Sequence, residues 1–76
     1  MKEMLEILVK NLVDNPDAIE ISEKVDGKAI DLELKVDPQD MGKVIGRQGK
    51  IAKAIRTVMK SLAAKEHKKV IIEFVD

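Results

Sequence analysis

A chain of 76 residues has room for one domain, near the lower size at which a single core folds without a metal or a disulfide. Its 45% hydrophobic residues suffice for that core and its 37% charged residues for a surface, while the absence of cysteine excludes a disulfide framework, a thiolate metal site and a thiol nucleophile. The net charge of zero conceals a step: residues 1–40 carry five Lys against eleven Asp or Glu, residues 41–69 carry nine Lys or Arg against Glu66 alone, and the last seven add Glu73 and Asp76. A basic segment inside a neutral chain points to an anionic partner approached from one side, or to a well-solvated helix face. Met1–Val13 is broken by Glu3, Glu6 and Lys10, so it reads neither as a signal peptide nor as a membrane span, and the chain is read as cytoplasmic with no membrane contact.

In chain order, Met1, Met4, Leu5, Leu8 and Leu12 recur at spacings of three and four, with Val9 and Val13 beside them, and predict a helix. Asp14-Asn15-Pro16-Asp17 stops it, because proline drives the preceding residue out of the helical region. Two strands follow. Ile19, Ile21 and Val25 share one parity, which Glu23 interrupts; Ile30, Leu32, Leu34 and Val36 alternate strictly with charged residues. Asp26-Gly27 is a tight-hairpin dipeptide, with Lys28 and Ala29 assigned to a slightly longer loop.

Asp37-Pro38 predicts the start of a short helix, Asp37 as its cap and Pro38 in its first position, running to about Ile45. Gly46-Arg47-Gln48-Gly49 interrupts it and a longer helix resumes near Lys50. There Ile51, Ala54, Ile55, Val58 and Leu62 form an apolar stripe with Met59 at its margin, opposite Lys50, Lys53, Arg56 and Lys60. Val70, Ile72 and Phe74 alternate with Ile71, Glu73 and Val75 as a third strand.

The order α-β-β-α-α-β predicts one α+β domain over residues 1–76. The first two strands pair as a hairpin; a right-handed helical crossover makes the third parallel to the second, which becomes central; all three helices lie on one face of a three-stranded mixed sheet.

The most informative stretch runs from Val44 and Ile45 through Gly46, Arg47, Gln48 and Gly49 to Lys50 and Lys53. Glycines three apart at a helix–helix junction let the backbone turn sharply and let a phosphate chain come close. Free amides at the start of the next helix, with the positive end of its dipole, suit phosphate oxygens, and Arg47, Lys50 and Lys53 add charge there. Gly-x-x-Gly on its own is equally a plain turn. Here it is flanked by apolar helical runs, follows a strand and lies inside the basic segment.

The string Ile45-Gly46-Arg47-Gln48-Gly49 with the apolar positions that follow resembles the signature of the KH domain family. The element order resembles its type II, prokaryotic topology, and length and order together resemble the small stand-alone bacterial KH proteins. Lys50-Ile51-Ala52-Lys53-Ala54-Ile55-Arg56-Thr57-Val58 is especially similar to that subfamily. Ala52 departs from the general pattern, which places a large aliphatic residue three beyond the second glycine; Ile55 matches it. The resemblance implies an RNA-binding protein that clamps about four nucleotides of single-stranded RNA, or chemically similar single-stranded DNA, in an aliphatic groove beside the loop. Its site residues are then Val44, Ile45, Gly46, Arg47, Gln48, Gly49, Lys50, Lys53 and Arg56. It implies RNA chaperoning or post-transcriptional regulation, and a homodimer or a heterodimer with a larger KH-containing RNA-binding protein. The composition agrees independently: with no Trp, no Tyr and only Phe74, the chain lacks the aromatic platforms of sheet- and barrel-type single-strand binders.

Enzymatic chemistry has little to stand on. Neither nucleotide-binding glycine pattern is present, and His67, the only histidine, stands among Lys65, Glu66, Lys68 and Lys69 as a solvated loop residue, with a pH-sensitive contact to phosphate as the alternative. Asp31, Glu33 and Asp37 share the solvent face of a strand. No catalytic residue, cofactor or metal is expected. The competing reading is a protein-interaction module whose glycine loop is only a turn, with Met59, Ala63, Ala64, Ile71 and Val75 as apolar positions outside the core.

Overall fold

A computed structural model describes residues 1–75. Helix α1 spans Lys2–Lys10, strands β1 and β2 span Glu20–Asp26 and Ala29–Lys35, helices α2 and α3 span Met41–Ile45 and Lys50–Lys65, and strand β3 spans Lys69–Val75. Single 3-10 turns occupy Pro16–Ala18, Pro38–Asp40 and Arg47–Gly49. The sheet order is β1-β2-β3, antiparallel between the first pair and parallel between the second. This is the three-stranded mixed sheet with three helices of a type II KH fold.

Local chemistry explains most boundaries. The Asp37 carboxylate accepts from the Gln39 amide at 2.9 Å, so Asp37 caps the segment as expected, but its first turn is 3-10 and α2 proper begins only at Met41. Helix α1 ends earlier than its apolar period suggests. Asn11 caps it, donating from its side chain to the Ile7 carbonyl at 2.8 Å, and Leu12 and Val13 fold back on Val9. The hairpin is tighter than its sequence suggests: Asp26 pairs directly with Ala29, leaving Gly27-Lys28 as a two-residue loop. Gly27 has φ +61° while Lys28 stays at negative φ, the pattern of a type II′ turn with glycine in its first central position.

One core lies between the sheet and the helices. Ile30, Leu32 and Leu34 of β2 and Val70 and Ile72 of β3 meet Leu5 and Val9 of α1, Val44 of α2, and Ile55, Met59 and Ala63 of α3. Side chains such as Leu5, Leu32 and Leu34 are fully buried, each worth about 1.5–3 kcal/mol relative to exposure.

Two expectations about burial are corrected here. Helix α3 is rotated by about one position from the stripe its sequence suggests: Ala52, Ile55, Met59 and Ala63 face the sheet, whereas Ala54 is exposed and Val58 is 43% exposed. Met59 and Ala63 are therefore core residues and not spare surface. Val25 shares the inward parity of β1, yet it is 59% exposed, because the helices do not extend over that end of the edge strand.

Candidate nucleic-acid interface

The junction of α2 and α3 is built from three residues at positive φ. Gly46 stands at φ 77°, ψ 175°, Gln48 at φ 58°, ψ 26°, and Gly49 at φ 75°, ψ 14°. The conformation of Gly46 is essentially closed to residues with a Cβ. Crowding adds to this, since a Cβ there would lie 2.2 Å from Ile51 Cγ1 and 2.9 Å from the Ile51 backbone nitrogen. Ile51, the first large apolar residue of α3, thus packs under the first glycine and sets the turn. Gly49 has open space around it, so only its left-handed φ favours glycine. Gln48, between the glycines, is a non-glycine residue held in the left-handed region, which costs about 1–2 kcal/mol.

The loop presents its middle to solvent. Arg47 and Gln48 are exposed, as are Lys50 and Lys53, and among the described residues none of these basic side chains forms an ion pair. No side chain caps the N-terminus of α3; the Gly49 and Lys50 amides donate to the Gly46 and Arg47 carbonyls of the preceding turn, and the positive end of the helix dipole faces the loop. Val44 is the exception among the candidate site residues: it is fully buried and anchors α2 in the core, so it positions the loop and cannot touch a ligand. Ile45 is half-buried at the loop's entry.

Two flanks of α3 diverge from its core line. Lys50, Lys53, Arg56 and Lys60 form the exposed basic side of the helix, and Arg56 and Lys60 border the open edge of β3 with Val70 and Ile72. There the Arg56 Nε donates to the Ile72 carbonyl at 3.4 Å, and its guanidinium lies 4.9 Å from the centre of the Phe74 ring. Ile51, Ala54 and Val58 form the other flank and line a cleft with Leu8 of α1 and Leu12 just beyond it. The basic and the apolar surfaces of this helix are thus on opposite sides of one core stripe. The Ile72–Phe74 edge escapes a sequence reading; its only trace there is the apolar parity of β3.

Lys43 belongs to the basic segment but is not available to an external anion. Its ammonium pairs with Asp14 and lies 3.5 Å from Asp40. Asp40, only 3% exposed, accepts from the Asn15 amide at 3.0 Å, and the Asn15 side chain donates to Asp37 at 3.2 Å. The Asn15 amide, seconded by the Asp14 amide and Lys43, holds the Asp40 carboxyl below its ordinary pKa against the opposing effect of burial. Lys43 is raised, chiefly by its hydrogen bond to Asp14. The segment after α1 is thereby tied to the start of α2, the helix that leads into the glycine loop.

A family model described as "KhpA/KhpB, KH domain" matches residues 2–74. The chain belongs to this family of KH domains. It is 57% identical over 75 residues to the RNA-binding protein KhpA of Clostridium perfringens, covering 99% of this chain and the whole of that protein. To the RNA-binding protein KhpA of Caldanaerobacter subterraneus it is 55% identical, with the same coverage. The RNA-binding protein KhpA of Aquifex aeolicus is 41% identical over 76 residues, which span all of this chain and 96% of the relative. Against the general KH pattern, Ala52 is small and buried, and the aliphatic bulk next to the loop is supplied by Ile51 on the opposite flank.

Proposed function

We propose that this chain binds single-stranded RNA, holding about four nucleotides with the Gly46–Gly49 backbone and the Lys50–Lys53–Arg56 flank of α3 against the edge of β3, and that it serves as an RNA chaperone or post-transcriptional regulator in the bacterial cytoplasm. The observation that carries this is the coincidence of a sharp glycine turn, the positive end of α3 with no side chain capping it, and cations without ion pairs beside it. Phosphates are met by amides and charge, and bases by the aliphatic edge with Phe74, since the chain has no other aromatic ring. Single-stranded DNA offers the same phosphates and base faces and is the competing ligand. The names of the relatives, all RNA-binding proteins, agree with this assignment. Titration of the protein with short random-sequence RNA, followed by backbone amide shifts, tests it. Changes are expected at residues 45–56 and 72–74. Changes centred on the outer sheet face, at Ser22, Lys24 and Glu33, would refute it.

The apolar flank supports association as a second, compatible role. A four-nucleotide site is weak alone, and two linked sites gain affinity through effective concentration. The cleft between Leu8, Leu12 and Val58 lies away from the basic flank, so a second copy or another KH protein can dock there without covering the RNA site. Val58→Asp alters an exposed side chain and should leave the fold intact while converting a micromolar dimer into a monomer in sedimentation. A wild-type protein that sediments as a monomer throughout that range, and recovers no KH partner, rules the role out.

A further inference from the structure

Beyond the loop, a groove opens between α3 and β3 at Arg56 and Ile72. It continues as one trough between the C-terminal half of α3 and the exposed edge of β3, through a section lined by Lys60, Val70 and Ile71 to one lined by Ala29, Ala64 and Lys68, and it closes at the β1–β2 hairpin beside Lys28 and His67. Helix rise makes the path from Lys53 to Ala64 roughly 16 Å long. Its floor is aliphatic and its rim is basic. Lys28, Lys60, Lys68 and Lys69 stand along it, and among the described residues none of them is ion-paired. The one acidic lining residue, Asp26, sits at the far end. The Lys69 amide donates to the Lys28 carbonyl at 2.8 Å, which holds the hairpin against the start of β3 and makes the end wall part of the fold.

We propose that this trough is a second RNA subsite, continuous with the four-nucleotide groove, which takes the onward nucleotides of the same single strand. The inference rests on the RNA-binding reading above and extends it. The chemistry repeats that of the first site: aliphatic side chains offer base faces a dry surface, and flexible ammonium groups on both walls meet phosphates as point charges. The floor is supplied by Val70, Ala29 and Ala64, while Ile71 borders the trough at the strand edge with its side chain on the opposite sheet face. The negative charge of Asp26 bounds the track, because a phosphate advancing past Lys28 meets a carboxylate.

The test compares a tetranucleotide with an octanucleotide of unstructured RNA on the wild-type protein and on a Lys60→Ala/Lys68→Ala double variant. Both lysines lie outside the first site and make no hydrogen bond or ion pair that the fold depends on, and a thermal melt verifies that the variant is folded. An octanucleotide offers a four-nucleotide site about five registers, so a ratio of about 5 in affinity needs no second subsite. The wild type is expected to exceed a ratio of about 20. The double variant should keep its tetranucleotide affinity within about twofold, fall to a ratio near 5, and lose about 1.4 from the log–log salt slope of octanucleotide binding, for two phosphate contacts on a single strand. A wild-type ratio near 5, or a variant that weakens both lengths by the same factor, overturns the subsite while leaving the four-nucleotide site standing. If neither length binds the wild type, the RNA-binding reading itself falls, and the subsite with it.

Discussion

Gly46→Ala is expected to cost about 3 kcal/mol or more of folding stability, and Gly49→Ala only about 1–2 kcal/mol. The two glycines look equivalent in sequence and differ in surroundings. At Gly46 a methyl group would have to occupy a backbone region closed to it, and would also lie within 3 Å of the Cβ, Cγ1 and backbone nitrogen of Ile51. Those atoms are the root of a side chain and the first turn of α3, so they cannot swing away as a flexible tip would. Relief requires α3 to move, and α3 carries Ile55, Met59 and Ala63 into the core. At Gly49 the same methyl group meets nothing within 4 Å, and only the left-handed φ is unfavourable. For a small domain the first loss is a large share of total stability. Urea midpoints of the two variants measure the difference. A Gly46→Ala protein within about 1 kcal/mol of wild type would mean that Ile51 does not hold the turn as described.

The Arg47→Asp/Gln48→Asp double variant is expected to separate binding from folding. Both side chains are exposed, so stability should stay within about 1 kcal/mol of wild type. The left-handed conformation of Gln48 strengthens that expectation, because Asp adopts this region more readily than most non-glycine residues. Two carboxylates would stand where phosphate must approach, and the Arg47 cation would be gone. Each like-charge contact costs on the order of 1 kcal/mol through water and more in a partly desolvated site. RNA affinity should therefore fall at least tenfold, read by fluorescence anisotropy, while the melting temperature hardly moves. Normal RNA binding by this variant would reduce the loop to a plain turn and favour the protein-interaction reading.

The order of elements, the Asp37 cap, the hairpin at Gly27 and the interruption at Gly46–Gly49 were all legible in the sequence. Each depends on interactions that reach no further than about four residues: a side chain bonding a nearby amide, a φ that only glycine accepts easily, an alternation of period two. The step in charge after residue 40 was legible for the same reason, since the basic residues cluster along a single helix and its approach.

The face that α3 turns inward was not legible. Apolar residues cover a broad arc of this helix, from Ile51, Ala54 and Val58 on one side to Met59 and Ala63 on the other, and a helical wheel weighs them alike. Which part meets the sheet is decided by where α1 and β3 stand, elements 40 residues or more away from α3 on one side and adjacent to it on the other. The same holds for the charges. Lys43 looks as free as Lys50 in sequence, but the segment after α1 delivers Asp14 to it, and the Asn15 amide to Asp40, from more than 20 residues away. Arg56 meets Phe74 and the Ile72 carbonyl only once β3 has paired with β2. Burial and ion pairing are properties of what lies across a gap in space. The sequence by itself determined the elements, the turn and the sign of the charge on α3, because those follow from local geometry; the tertiary structure alone decided which side chains become core, which cations stay free and which flank of α3 faces the open edge of β3.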